Sequence, residues 1–118
     1  MRDFRQIKVW EKSHQLTVEI YLLTRAFPRE ELFGLTSQIR RSCASIPANI
    51  AEGCGRGSNK EYAYFLQIAM GSATELDYHI LLAKDVGYLN EIIYNKHYNQ
   101  ILEIKRMLAS LLQKVRNA

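Results

Sequence analysis

The chain has 118 residues and a mass of 13.7 kDa, with 47% hydrophobic and 24% charged residues. This is the balance of a single soluble domain, predicted over 1–118, whose core needs no covalent staples, and it argues against disorder. Lys and Arg number 16 against 12 Asp and Glu, giving +4 and a pI near 9.2, a basic excess that permits polyanion binding without requiring it.

The opening segment, Met1 to Lys8, holds no apolar core of signal-peptide length, and no run approaches the length of a membrane span. Cys43 and Cys54 are three helical turns apart if their segment is a continuous helix, about 16 Å at the standard rise. A disulfide cannot bridge that gap. Reduced thiols in a cytoplasmic protein that enters no membrane are the expectation.

Apolar spacing predicts four helices. The first runs from about Lys8 to Phe27, with Trp10, Leu16, Ile20, Leu23 and Phe27 at intervals of three and four, and Pro28 stops it. A polar turn, Arg29-Glu30-Glu31, leads through Phe33 and Gly34 into the second. Helix two sets Leu35, Ile39, Cys43, Ile46 and Ile50 on one side and the small residues Ala44, Pro47, Ala48 and Ala51 on another. Pro47 removes a backbone donor and crowds the preceding turn, so neighbours must hold this helix on more than one side.

The glycines from Gly53 to Gly57 predict a helix end with a left-handed cap. Ser58 followed by Glu61 fits a capping box that starts helix three, which continues to about Asp85. Its main stripe is Tyr62, Phe65, Ala69, Ala73, Leu76, Ile80 and Ala83; a second holds Tyr64, Ile68, Gly71, Glu75, Tyr78 and Leu82. Gly87 closes it, Asn90 caps helix four, and that helix runs to about Val115 on Ile93, His97, Ile101, Leu108, Leu111 and Val115. Four such helices with short connections predict an all-α, antiparallel up-down-up-down bundle. The second apolar stripes would stay wet in one bundle, so self-association is expected.

With these residues in view the chain resembles the four-helix-bundle family named for proteins encoded in intervening sequences of bacterial 23S ribosomal RNA genes. The likeness begins at Phe4, Val9-Trp10 and Phe27-Pro28, and passes through Glu31, Gly34-Leu35-Thr36 and Gln38-Ile39-Arg40-Arg41. It centres on Ser45-Ile-Pro-Ala-Asn-Ile-Ala-Glu-Gly53, then continues through Arg56, Gly71-Ser72 and Glu75-Leu76. The resemblance implies a bundle that assembles into a ring-shaped homopentamer. Wider relatives include the accessory protein of diversity-generating retroelements, a basic pentameric barrel that binds nucleic acid and its reverse transcriptase.

No catalytic pattern competes with a binding role. His14, His79 and His97 lack the Glu-x-x-His spacing of bundle di-iron sites, and Glu75 with His79 is too small a ligand set for zinc. Ser42 and Ser45 have no histidine and acid partners by motif, and the Gly53 to Gly57 run lacks the Lys-Ser/Thr ending of a phosphate-binding loop. Neither metal nor cofactor is expected. The tyrosines at 62, 64, 78, 88, 94 and 98 sit at core or interface spacing and form no stacking platform.

The charges carry the functional expectation. Arg40, Arg56 and Lys60 are candidate contacts to nucleic-acid phosphates, set against the alternative of a solvated face. The expected oligomer interface comprises Arg41, Ala44, Pro47, Ala48, Ala51 and Glu52 of helix two, with Tyr64, Ile68, Gly71 and Glu75 of helix three. Arg41 is expected to pair with Glu52 or Glu75 of a neighbouring copy, setting register more than stability. Two function classes follow: a non-catalytic basic oligomer that binds RNA or DNA, or an interaction module whose ring binds a protein such as a reverse transcriptase.

Overall fold

Each helix starts and stops where local chemistry provides for it, in a computed structural model that describes residues 2–118. The helices are α1 (Lys8–Thr24), α2 (Leu35–Cys54), α3 (Asn59–Asp85) and α4 (Glu91–Arg116), with short 3-10 turns at Phe4–Gln6 and Arg29–Glu31. No strand occurs among the described residues. They pack as a bundle of about 45 × 23 × 19 Å.

α1 ends at Thr24, three residues before the expected Phe27. The amides of Arg25, Ala26 and Phe27 reach back to Leu22, Leu23 and Thr24, the tighter i to i+3 pattern of a closing turn. Pro28 beyond it bars Phe27 from the helical region. The Ser58 hydroxyl accepts from the Glu61 amide (3.2 Å) and donates to the Glu61 carboxylate (3.1 Å), so the predicted cap starts α3. Asn90 Oδ1 accepts from the Ile93 amide at 2.8 Å to start α4.

The glycine ends differ from expectation at one helix and match it at another. Gly55 caps α2 with φ −80°, a right-handed conformation, so no left-handed cap forms there. Gly53 instead lies inside α2 for want of space: a Cβ would stand 2.9 Å from Tyr62 Cδ1 and 3.0 Å from Phe65 Cβ. Gly87, at φ 91°, is the left-handed residue, with its amide on Lys84 and that of Tyr88 on Ala83. This is a Schellman closure of α3.

The core joins Leu16 and Ile20 of α1, Ile39, Ile46 and Ile50 of α2, Leu66, Leu76 and Ile80 of α3, and Ile101, Ile104 and Leu108 of α4. Leu66 and Ile104 lie off the expected stripes because α3 and α4 each pack against two neighbours, which widens the apolar arc.

Pro47 is buried within its own chain rather than on the outer small-residue face. Its missing amide frees the Cys43 carbonyl, and the Thr17 hydroxyl of α1 lies 3.3 Å from that oxygen while bonding Ser13 O at 2.7 Å. The proline faces inward because position 47 follows the Cys43–Ile46–Ile50 stripe closely enough to share its contact with the bundle interior.

Candidate functional site

The outer face shared by α2 and α3 is built of small and polar side chains. Ala48, Gly71, Glu52 and Tyr64 are exposed, whereas Ala44, Ala51, Ile68 and Glu75 are half-buried. A polar seam holds the two helices beneath it: Ser45 Oγ lies 2.8 Å from Ser72 Oγ, and Asn49 Nδ2 donates to Ser45 O (2.8 Å) and Oγ (2.9 Å). Beyond its own stretch of helix, nothing lies within 4 Å of a Cβ placed on Gly71. Of the expected interface residues, Pro47 alone is buried; the others are exposed or half-buried on α2 and α3.

The expected ion pairs close within the chain. Arg41 binds Glu75 of its own chain and donates to Gln38 Oε1 at 2.8 and 3.2 Å. Glu52 pairs with Arg56 one turn later, at 3.1 Å. Neither acid needs a neighbour's arginine. Pairs this exposed contribute little to stability.

α2 and α3 also bring together a serine, a histidine and a carboxylate that no local motif announces. Ser42 Oγ lies 3.4 Å from His79 Nδ1, and His79 Nε2 lies 3.7 Å from Glu75 Oε2. The Ser42 hydroxyl is fully buried and bonds back to the carbonyls of Gln38 (2.9 Å) and Ile39 (3.2 Å). A nucleophile needs an open approach and a base that takes its proton. This hydroxyl has neither, because its proton is committed to backbone. Burial pushes His79 below the ordinary histidine pKa, against the pull of Glu75.

The thiols are similarly withdrawn. Burial pushes Cys43 up to about 11, and Cys54, beside the buried Tyr62 hydroxyl, is raised for the same reason. Both are free. Among the described residues no three His, Cys, Asp or Glu side chains gather as a metal site, and no helix is long and apolar enough to cross a membrane.

The three candidate phosphate contacts separate in the structure. Arg40 is tied to α1, with Nε on Thr24 Oγ1 at 2.8 Å and its guanidinium 5.0 Å from the Tyr21 ring centre. Arg56 lies over Phe65 (4.8 Å) and pairs with Glu52. Lys60 is exposed and makes no ion pair among the described residues. Arg56 lies in the turn between α2 and α3 and Lys60 in the first turn of α3; Arg40 sits in the other half of the bundle.

That division extends to the whole charge distribution. Cut at the helix midpoints, the half with the α2–α3 turn (2–16, 45–72 and 104–118) carries ten Lys or Arg against four Asp or Glu. The other half (17–44 and 73–103) carries six against eight. The net +4 is thus an excess of six at one end and a deficit of two at the other. Arg2 and Arg116 join this end through tertiary packing, which sequence reading missed. Arg2 reaches Asn59 and lies 4.2 Å from the Tyr62 ring centre, while Arg116 donates to Gln67 Oε1 at 2.9 Å.

A bundle of four helices with a small-residue outer face and charge gathered at one end defines the class of protein. The model of the 23S rRNA-intervening sequence protein family matches residues 5–110, and the chain belongs to that family. A similar fold occurs in the crystal structure, at 1.70 Å resolution, of a protein of unknown function from the S23 ribosomal protein family of Bacteroides thetaiotaomicron. The two are 30% identical with a TM-score of 0.82, over 89% of this chain and 95% of that one. No curated protein matches the chain.

Proposed function

We propose that this protein is a non-catalytic, basic accessory protein of the cytoplasm that assembles with copies of itself and binds RNA or DNA through backbone phosphates. The observation that carries the reading is the charge partition, with ten basic against four acidic side chains in the half that bears Arg56 and Lys60. A field concentrated at one end attracts polyanions more strongly than the same charge spread evenly.

In this reading the helices run antiparallel, up-down-up-down. Contact order supports it: Thr17 meets Cys43 and Thr24 meets Arg40, so numbers rise along α1 as they fall along α2. The exposed face of Ala48 and Gly71 supports close approach of a second copy. Five copies, the ring that the family resemblance implies, would carry about +20. Light scattering together with salt-dependent retention of RNA or DNA tests the proposal; a monomer that retains neither overturns it.

A second reading, an interaction module for a protein such as a reverse transcriptase, draws on the opposite end. There Phe33 is 93% and Ile92 83% exposed, and large exposed apolar side chains mark protein contacts.

A further inference from the structure

The basic end holds a groove of about 530 Å³ between the start of α3 and the end of α4. Lys60, Tyr64 and Arg116 line it with Asn59, Ala63 and Val115, and Ala118 is also on its wall. This is the size range of ligand clefts, about 300–1,000 Å³. No Asp or Glu side chain faces it. Lys60 and Arg116 are in no ion pair among the described residues, whereas nearby Arg56 is already neutralised by Glu52. Both cations that line the groove are thus unpaired among the described residues, as are Arg2, Arg5, Lys8, Arg106 and Lys114 of the same half.

Tyr64 adds an aromatic surface beside them. Its side chain is 63% exposed and touches Phe65 in an edge arrangement with ring centres 5.2 Å apart. An exposed ring in the same groove as two cations can recognise a nucleobase by stacking, and only an unpaired strand offers a free base face. A duplex buries its base faces and offers phosphates alone.

Resting on the nucleic-acid reading above, we propose that this groove binds single-stranded nucleic acid, with Lys60 and Arg116 on successive phosphates and a base stacked on Tyr64. Charge complementarity selects the ligand: a polyanion meets the end with six excess positive charges. The assignment takes Tyr64 from the expected interface and places it at a binding site. Arg40, in the other half, has no part in it.

The test is fluorescence anisotropy at low salt with labelled oligothymidine, labelled oligouridine and a duplex, with circular dichroism to check folding. The single strands should bind more tightly than the duplex. Tyr64→Ala should weaken single-strand binding about fivefold or more and leave duplex binding unchanged, and Tyr64→Trp should restore it. Lys60→Glu and Arg116→Glu should weaken both. Equal binding of single strand and duplex, indifferent to Tyr64→Ala, overturns the groove while the broader nucleic-acid reading stands. Retention on phosphatidylserine vesicles with no binding to either nucleic acid overturns both.

Discussion

The Thr17 hydroxyl of α1 lies 3.3 Å from the carbonyl oxygen of Cys43, the acceptor that Pro47 leaves without its helical donor. A proline inside a helix is thereby tolerated through a neighbouring helix, and the contact fixes how α1 and α2 meet. Thr17→Val should lower stability by about 0.5–1.5 kcal/mol, the worth of an ordinary hydrogen bond. Pro47→Ala restores the amide to Cys43, so the same change should cost less in that background. Urea unfolding of the four-member cycle reads the coupling; zero coupling would show that Thr17 acts through Ser13 alone.

Gly53→Ala should destabilise the protein by about 1–3 kcal/mol, because its methyl group meets Tyr62 and Phe65 at overpacked distances. Thermal unfolding measures it. An unchanged midpoint would mean that α3 can move away from α2 freely.

The helices were legible in the sequence because their signals are local. Ser58 with Glu61 and Asn90 announced two starts, and apolar spacing gave most of the buried stripes. Helix two does end within Gly53 to Gly57, but the expected left-handed cap does not form, and Gly53 serves close packing, because a glycine needed for close packing has the same spelling as a glycine needed for a turn. Pro47 was assigned to the outer face because a projection at fixed pitch does not say how wide the buried arc is. The Ser42–His79–Glu75 cluster, the Arg41–Glu75 pair within one chain and the position of Arg116 all depend on which helix faces which, and no short motif encodes that.

Acid should destabilise the fold from near-neutral pH downward. His97 is 4% exposed, and burial holds its pKa below the ordinary 6.5, although Gln100 opposes the shift. The unfolded chain therefore takes up a proton that the folded chain refuses. Stability is present above 6.5 and is lost as the pH falls from there through the lower folded value; His79 acts in the same sense. The Glu31 carboxylate, held below 4.5 by the Leu35 amide and the Tyr88 hydroxyl, adds a loss at still lower pH. Unfolding midpoints across this range should fall on acidification, and His97→Gln should flatten the upper part. A midpoint that rises between neutrality and the lower histidine pKa would contradict the assignment.

Ala48→Arg should leave the helical content of the chain unchanged, because Ala48 is exposed within it, but should reduce the mass measured by light scattering. Gly71→Leu should behave alike, since nothing beyond its own stretch of helix lies within 4 Å of the added Cβ. Wild-type mass at several times 13.7 kDa, most simply five times, is the expected starting point. Variants that keep the full mass would remove the α2–α3 face from the interface.

The central claim is that one end of the bundle binds nucleic-acid phosphates, and the salt dependence of binding tests it most directly. Anisotropy titrations of wild type, Lys60→Glu and Arg29→Glu over a series of salt concentrations compare a free cation at the basic end with an exposed one at the other. Wild-type affinity should fall steeply with salt. Lys60→Glu should reduce the slope of log K against log salt by about 0.7–0.9, the share of one phosphate contact, while Arg29→Glu leaves it unchanged. Absence of salt-dependent binding, or an equal loss from both substitutions, would contradict the account.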